Sequence, residues 1–199
     1  MVRDFEIGII GIQGAISEHI ISMKNTLKKN KINGNVIVIK NKNDLEKIDA
    51  LLLPGGESTT ISKILNRSGI FKNLYYKIKE DNLPVMGTCA GCVLLSSDIS
   101  NVSKKLKLLS VMDMKVKRNA FGRQKESFET DVKIKGFSKP YNAVFIRAPV
   151  IEKVWGSCEI LSTIDEKIIM AKQNNLLAIS FHPELTDDLR IHEYFLDMI

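Results

Sequence analysis

The stretch Pro84–Ser97, PVMGTCAGCVLLSS, joins a short apolar run to a run typical of a helix, with glycine on both sides of the junction. Pro84–Thr88 predicts a buried strand, and Ala90–Ser97 predicts a helix that begins directly after it. A strand that passes directly into a helix is typical of α/β proteins, in which helices cover a largely parallel sheet. This junction therefore favours an α/β fold for the chain.

The first half of the chain repeats this alternation. Further strands are predicted at Phe5–Gly11, Asn35–Lys40 and Asp49–Leu53, and helices at Gly14–Lys31 and Ser58–Asp81, the latter broken near Gly69. Alternating strands and helices at this spacing imply right-handed crossovers and a parallel sheet that is covered on both faces. We therefore expect the three layers of a helix–sheet–helix domain.

The second half has little helix between its apolar runs. Strands are predicted at Leu109–Lys117, Phe128–Ile134, Ala143–Ile146, Glu159–Thr163, Ile168–Lys172 and Leu177–Phe181. This part should be largely antiparallel, with a hairpin tip at Asp165-Glu166 and a closing helix over Asp187–Met198. With no linker or repeat visible, residues 1–199 are expected to form one domain with a mostly parallel central sheet and an antiparallel portion.

Composition limits the classes of protein to which the chain can belong. The chain has 199 residues, of which 44% are hydrophobic and 26% are charged, values close to the globular average. No apolar run is long enough for a transmembrane helix, the N-terminal region has no signal-peptide pattern, and three cysteines suggest no disulfide framework. We therefore expect a cytoplasmic protein without a membrane partner.

The net charge of +6 includes two lysine clusters, Lys28, Lys29 and Lys31, and Lys104, Lys105 and Lys107. A nucleic-acid site is one interpretation of such clusters. They have no interleaved aromatic residues, however, and such runs are usually solvated helix ends or loops. The sequence therefore favours no nucleic-acid partner.

Cys89 is the candidate nucleophile. It lies in Gly87-Thr88-Cys89-Ala90-Gly91, the cysteine counterpart of the G-x-S-x-G elbow, in which a sharp strand-to-helix turn exposes the nucleophile. Amides at the helix start favour a thiolate, and the Ala90 amide should point to a developing oxyanion. Cys89 could instead be a buried structural cysteine, or pair with Cys92 as a redox C-x-x-C; no second ligand pair supports a zinc site.

His182 is the candidate base. It ends a predicted strand in Ser180-Phe181-His182-Pro183-Glu184, and residues two apart in an extended chain project to the same side, so Glu184 can orient its ring. An unrelated strand-end histidine is the alternative if this segment is taken alone. His19 and His192 are most simply interpreted as surface or helix-boundary residues, although their helix positions do not exclude a role.

The loop Pro54-Gly55-Gly56-Glu57-Ser58 follows a strand and precedes a helix, where backbone amides can bind an oxyanion. We take Gly56 as the second oxyanion donor. Gly8, Gly11 and Gly14 do not match the dinucleotide fingerprint, and no Walker lysine pattern is present. The expected chemistry requires neither a metal nor an organic cofactor.

Three motifs together, G-T-C-A-G, P-G-G-E-S-T-T and S-F-H-P-E-L-T, resemble those of the class I glutamine amidotransferases, which have a flavodoxin-like sheet. The segments G-I-Q-G-A-I-S-E-H, R-N-A-F-G-R-Q and V-F-I-R-A-P are similar to the glutaminase subunits of pyridoxal 5′-phosphate synthase. The resemblance implies hydrolysis of L-glutamine to L-glutamate and ammonia through a thioester. It also implies that ammonia passes to a synthase subunit, PdxS, in a large hetero-oligomer.

The resemblance also assigns residues. It implies a triad of Cys89, His182 and Glu184. The substrate-binding residues that it implies are Gly56, Glu57, Ser58, Arg118, Ile146 and Arg147. The alternative for Arg118 and Arg147 is contact with the partner. Gln13, in a glycine-flanked loop after the first strand, is expected to lie beside the Gly56 loop and to take part in a switch controlled by the partner.

Overall fold

The computed structural model describes residues 5–100, 106–121 and 127–199. Lys104, Lys105 and residues 122–126, which include the final G-R-Q of the R-N-A-F-G-R-Q motif, lie outside these ranges. The described strands are β1 (Phe5–Ile10), β2 (Gly34–Ile39), β3 (Ala50–Leu53), β4 (Val85–Thr88), β5 (Ser96–Ile99), β6 (Met112–Lys117), β7 (Ser127–Val132), β8 (Tyr141–Ile146), β9 (Val150–Val154), β10 (Glu159–Ile164), β11 (Lys167–Gln173) and β12 (Leu176–Ile179). The α-helices are α1 (Ile16–Lys29), α2 (Ser58–Arg67), α3 (Ile70–Lys79), α4 (Ala90–Leu95) and α5 (Arg190–Leu196), with 3-10 helices at Lys42–Lys47 and Pro183–Leu185. In the described part of the chain, no helix has the length and apolar character needed to cross a membrane.

Ten of the described strands form one sheet in the order β2-β1-β3-β4-β12-β11-β9-β6-β5, with β10 beside β11. The segment from β2 to β12 is parallel throughout, because β1 pairs with β2 and β3, and β4 pairs with β3 and β12. β11 runs antiparallel to β12, β9 and β10, while β7 and β8 form a separate antiparallel pair. The predicted fold class, a mostly parallel sheet with an antiparallel portion, is confirmed.

The central strands are buried on both faces, as β3 shows. Leu51 and Leu53 pack in one core with residues of α2, α3 and α4, whereas Leu52 packs in a second core with residues of α1 and α5. Because side chains alternate across a strand, a strand buried on both faces has a continuous apolar sequence such as ALLL. The sheet therefore forms the middle of three layers.

The structure corrects two segments of the predicted topology. The helix predicted over Ala90–Ser97 ends at Leu95, and Ser96 begins β5, which pairs with β6. The Ser96 hydroxyl donates to the Val93 carbonyl at 2.7 Å, so the side chain satisfies a carbonyl at the helix end. Strand β9 was not predicted, because its sequence VIEKV is short and carries two charges.

The break in the long helix is confirmed, with α2 and α3 meeting at Gly69, where φ is +75°. The hairpin tip is also confirmed, because Asp165 and Glu166 connect the antiparallel strands β10 and β11. Both tip residues have positive φ, 45° and 63°, as a tight two-residue hairpin turn requires. The closing helix is shorter than predicted and covers Arg190–Leu196.

Predicted site residues lie together at the carboxyl edge of the parallel segment. Neighbouring strands β1, β3, β4 and β12 all end at this edge. The loops that follow them carry Gln13 after β1, Gly56 after β3, Cys89 after β4 and His182 after β12. Ligand sites of open α/β sheets lie at this edge, so the topology alone brings these residues close together.

Candidate active site

Cys89 lies at a strained turn between β4 and α4. Its φ of 48° and ψ of −102° are unusual for a residue with a side chain. A Cβ built on Gly91 would lie 2.0 Å from the carbonyl oxygen of Leu53, and one on Gly87 would lie 2.7 Å from the Gly91 carbonyl carbon. The glycines therefore allow α4 to approach the sheet closely enough to hold the elbow in this conformation.

His182 follows β12 and contacts Glu184. His182 Nδ1 lies 2.7 Å from Glu184 Oε1, and the backbone amide of His182 donates to the Val144 carbonyl at 2.8 Å. Glu184 lies in the 3-10 helix Pro183–Leu185, and its side chain is fully buried. The segment fixes one nitrogen of the imidazole and directs the rest of the ring toward the cleft.

The electrostatics of this pair favour an imidazolium–carboxylate contact. Burial alone lowers the pKa of His182, but hydrogen bonds with Cys89 and Glu184, and their charges, outweigh burial and raise the pKa to about 10. Burial raises the pKa of Glu184, but the hydrogen bond from His182 and the electrostatic effects of His19 and His182 outweigh it, so the net shift is downward. The pair can therefore keep opposite charges near neutral pH.

A cleft of about 210 Å³ opens above Cys89. Its lining consists of Gly56, Glu57, Ser58, Cys89, Ala90, Val93, Arg118, Asn119, Ile146, Arg147, Pro149 and His182. The sulfur of Cys89 lies 4.0 Å from the Ile146 carbonyl oxygen. The structure thus brings every predicted site residue to one cleft except Glu184, which lies behind His182, and Gln13.

Gln13 lies against the Gly56 loop. Its Oε1 accepts a hydrogen bond from the Glu57 amide at 3.0 Å, and a Cβ built on Gly56 would lie 3.2 Å from the Gln13 side chain. Gly56 has a φ of +126°, a conformation that residues with side chains rarely adopt. Gln13 is thus hydrogen-bonded to the peptide that joins Gly56 to Glu57.

Two opposite charges meet at the mouth of the cleft. Arg118 Nη2 lies 2.6 Å from Glu57 Oε1, and Arg118 Nη1 lies 3.4 Å from Thr59 Oγ1. The same Glu57 oxygen accepts from the Thr59 amide at 3.2 Å and so caps α2. Arg147, also in the lining, is exposed and has a positive φ of 43°. The lining of the cleft thus contains one carboxylate and two guanidinium groups.

Cys92 does not lie in the cleft. It is fully buried in the core beneath α4, and burial strongly raises the pKa of its thiol. Cys89, Cys92 and Cys158 are all unpaired. A thiol held neutral in an apolar core is a poor partner for thiol–disulfide exchange, so this surrounding favours packing over the redox C-x-x-C interpretation.

Comparison with known proteins shows the family to which the chain belongs. The model of the SNO glutamine amidotransferase family matches residues 9–199. The chain belongs to this family. It is 46% identical over 195 residues to the pyridoxal 5′-phosphate synthase subunit PdxT of Pyrococcus furiosus, covering 98% of both chains. It is also 48% identical over 194 residues to the PdxT of Fervidobacterium nodosum, covering 97% of this chain and 96% of that one.

Solved structures agree with the family assignment. A crystal structure of a glutamine amidotransferase superposes with a TM-score of 0.86 at 39% identity, over 96% of this chain and 97% of that chain. A glutamine amidotransferase from Thermotoga maritima superposes with a TM-score of 0.65 at 14% identity, over 98% of this chain and 84% of that chain. The second likeness concerns the fold alone. The chain is thus a glutamine amidotransferase family member in both sequence and fold.

Two histidines of this family member lie where the sequence analysis did not place them. His19 and His192 were expected at the surface or at helix boundaries. Both lie in the first turn of a helix but are completely buried, so the surface interpretation is wrong. The sequence spacing indicates the burial of His19, which lies three residues after Ile16 and four before Met23, on the apolar face of α1. His192 similarly lies between Ile191 and Phe195, which are buried residues of α5.

Proposed function

We propose that the chain hydrolyses L-glutamine to L-glutamate and ammonia as the glutaminase subunit of a pyridoxal 5′-phosphate synthase, with residues 1–199 forming one glutaminase domain. Membership of the SNO glutamine amidotransferase family and the PdxT relatives support this proposal. The observation that carries it is the 2.7 Å contact between His182 and Glu184 at the cleft that contains the strained Cys89. That arrangement has a nucleophile, a base and a group that orients the base.

In the first step, Cys89 Sγ attacks the side-chain amide carbon of glutamine, and a carbon–sulfur bond forms. His182 holds the proton that leaves the thiol, and an imidazolium beside the sulfur favours the thiolate nucleophile. The amides of Gly56 and Ala90 stabilise the oxyanion of the tetrahedral intermediate. The carbon–nitrogen bond then breaks, and His182 returns the proton to the departing ammonia, which leaves a thioester on Cys89.

In the second step, water cleaves the thioester. His182 removes a proton from the water as its oxygen attacks the carbonyl carbon, and the same two amides stabilise the second oxyanion. The carbon–sulfur bond breaks and releases glutamate, so Cys89 is restored. Throughout both steps, Glu184 holds Nδ1 of His182 and leaves Nε2 to exchange protons with the reacting groups.

The charges at the cleft mouth suit the other end of glutamine. A free amino acid carries an ammonium and a carboxylate on its α-carbon, and Glu57 and Arg118 offer complementary groups 2.6 Å apart. Arg147 provides a further guanidinium in the same lining, and Ser58 and Ile146 complete the wall. We therefore propose that glutamine inserts between Glu57 and Arg118, with paired hydrogen bonds from arginine to its carboxylate.

The ammonia is proposed to pass to a PdxS synthase subunit in a large hetero-oligomer in the cytoplasm. Ammonia released into water would become ammonium, which is not a nucleophile, so hydrolysis should be coupled to the presence of the partner. The contact between Gln13 and the Gly56 loop supplies the element of control. Docking of PdxS near Gln13 would favour the conformation in which the Gly56 amide faces the oxyanion.

This proposal is tested by glutamate production at saturating glutamine, with and without PdxS. Because one oxyanion donor contributes about 2.7–4 kcal/mol, the partner should accelerate hydrolysis on the order of 100- to 1000-fold. Gln13→Ala should reduce this activation. No glutamate with PdxS present would contradict the glutaminase function, whereas full hydrolysis without PdxS would contradict the switch alone.

A further inference from the structure

Glu184 is contacted by two different histidines. Its Oε1 lies 2.7 Å from His182 Nδ1, and its Oε2 lies 3.4 Å from His19 Nε2. His182 faces the cleft, whereas His19 comes from α1 on the other side of the carboxylate and is completely buried. Among the described residues, Oε2 accepts no hydrogen bond of good geometry, which makes the approach of His19 the contact that compensates this buried oxygen.

His19 also contacts the residue that precedes the nucleophile. Its Nε2 lies 3.1 Å from Thr88 Oγ1, and Thr88 is the last residue of β4 before Cys89. Thr88 is itself completely buried. One imidazole nitrogen therefore lies between the carboxylate that orients His182 and the strand end that carries Cys89.

The surroundings of His19 determine which nitrogen carries its proton. Burial lowers the pKa of His19 and outweighs the charge of Glu184, so the ring is neutral near neutral pH. Nδ1 has no hydrogen-bond partner within the described residues, and a proton there would be a buried N–H without an acceptor. A proton on Nε2 can instead be donated to Thr88 Oγ1 at 3.1 Å, with Glu184 Oε2 3.4 Å from the same nitrogen, so this tautomer is favoured.

We propose that His19 is a positioning residue that holds the Glu184 carboxylate through its Nε2–H, so that Oε1 stays directed at His182. The inference rests on the proposed glutaminase function of the triad. Without this N–H, Oε2 would remain a buried anionic oxygen that lacks a donor, and the carboxylate would rotate away from His182 or take up a proton.

His192 offers a matched control. It is as buried as His19, and its ring packs edge-on against that of His19 with centroids 5.9 Å apart. Neither of its ring nitrogens forms a hydrogen bond within the described part of the chain. Replacing His192 by leucine therefore removes a buried ring of the same size without removing a donor to Glu184.

The test compares kcat and KM for glutamine hydrolysis, with PdxS present, in His19→Leu, His19→Gln, His19→Asn and His192→Leu. Loss of the Nε2 contact with the buried carboxylate should lower kcat by about 10- to 100-fold in His19→Leu and His19→Asn, with KM within about threefold of wild type. The longer amide of His19→Gln reaches the position of Nε2 and should recover most of this loss. His192→Leu should keep kcat within about threefold.

A double-mutant cycle tests whether His19 acts through Glu184. In a Glu184→Gln background, His19→Leu should lower kcat by less than about threefold further, since the carboxylate that it positions is already absent. Circular dichroism and melting curves establish that each variant is folded, and His19→Asn replaces His19→Leu if the apolar variant is not.

The results separate the two proposals. Equal kcat losses in His19→Leu and His192→Leu, no recovery in His19→Gln, or a full effect of His19→Leu in the Glu184→Gln background would each overturn the positioning role. Wild-type protein that fails to hydrolyse glutamine with PdxS present would instead remove the triad on which the inference rests.

Discussion

Two neighbouring regions give histidine opposite properties: the cleft, with Cys89 and His182, and the buried histidine pair, His19 and His192. Burial lowers the pKa of every one of these histidines. At His182, direct contacts with Cys89 and Glu184 reverse the effect and raise the pKa to about 10. His192, without a hydrogen bond in the described residues, has its pKa lowered to about 3 by burial and by His19.

The difference shows that partners, rather than burial, determine the role of a histidine here. In the cleft, His182 and Glu184 can keep opposite charges beside Cys89. The buried histidine pair stays neutral and provides packing and, at His19, one directed N–H. Glu184 is the residue that the two regions share, because it contacts His182 on one side and His19 on the other.

The largest expected effect is a loss of glutamine hydrolysis when the cleft loses Cys89. Cys89→Ala removes the nucleophile and should lower glutamine hydrolysis by at least about 10⁴-fold, because members of a catalytic triad act as a unit. The assay is glutamate production with PdxS present. Cys92→Ala, which alters a buried thiol three residues away, should stay within about threefold of wild type. Wild-type turnover by Cys89→Ala would remove the nucleophile assignment.

The second largest effect is expected from a change in Glu184, the residue that the two regions share. Glu184→Gln should lower kcat by about 10²- to 10³-fold, less than Cys89→Ala, because the amide can still contact His182 but loses the charge that stabilises imidazolium. Steady-state kinetics measure this loss. Equal rates for Glu184→Gln and wild type would show that Glu184 does not orient a catalytic histidine.

The smallest expected effect is on the free energy of unfolding, which the buried histidine pair makes dependent on pH. The pKa of His192 is lowered from 6.5 to about 3 on folding, so below pH 6.5 the unfolded chain binds a proton that the folded chain does not. Stability contributed by His192 is therefore present above pH 6.5 and is lost as the pH falls. By pH 5 the loss is about 2 kcal/mol.

Urea unfolding at pH 7.5 and pH 5 tests this expectation. Wild type should lose about 2 kcal/mol more unfolding free energy than His192→Leu over this interval, since the variant has no ring to protonate. Glu184, whose pKa is lowered from 4.5, contributes to both proteins and loses its contribution only at lower pH. Identical pH dependence in the two proteins would show that His192 is not kept neutral by burial.

The contrast between the cleft and the buried histidine pair also explains which residues of the candidate site could be predicted from the sequence. Cys89 and His182 could be predicted because each lies in a local motif, the glycine-framed elbow and the His-Pro-Glu segment, at a strand end of a parallel sheet. His19 carries no motif, and its contact with Glu184 joins residues 165 positions apart, which local patterns do not encode. Its burial was nevertheless visible in the spacing of the α1 face, on which His19 precedes Met23 by one turn.

Strands, too, could be predicted where a local sequence pattern marks them and were missed where they depend on pairing with distant strands. The central parallel strands β3, β4 and β12 were found because they are buried along their whole length and their sequences are mainly apolar. Strand β9 was missed because its short, charged sequence is stabilised by pairing with β6 and β11, which are distant in the chain. Likewise, the alternation of Ser96–Ile99 does not distinguish β5 from a helix end until its pairing with β6 is known.

The central claim is that Cys89 forms the covalent intermediate, and a glutamine-analogue electrophile tests it most directly. The enzyme with PdxS present is treated with the electrophile, digested, and sequenced by fragment-ion mass spectrometry, which separates Cys89 from Cys92 within one peptide. We predict one adduct per chain on Cys89, prevented by excess glutamine, with Cys92 and Cys158 unmodified. An adduct mainly on Cys92 or Cys158, or labelling that glutamine does not prevent, would contradict the account.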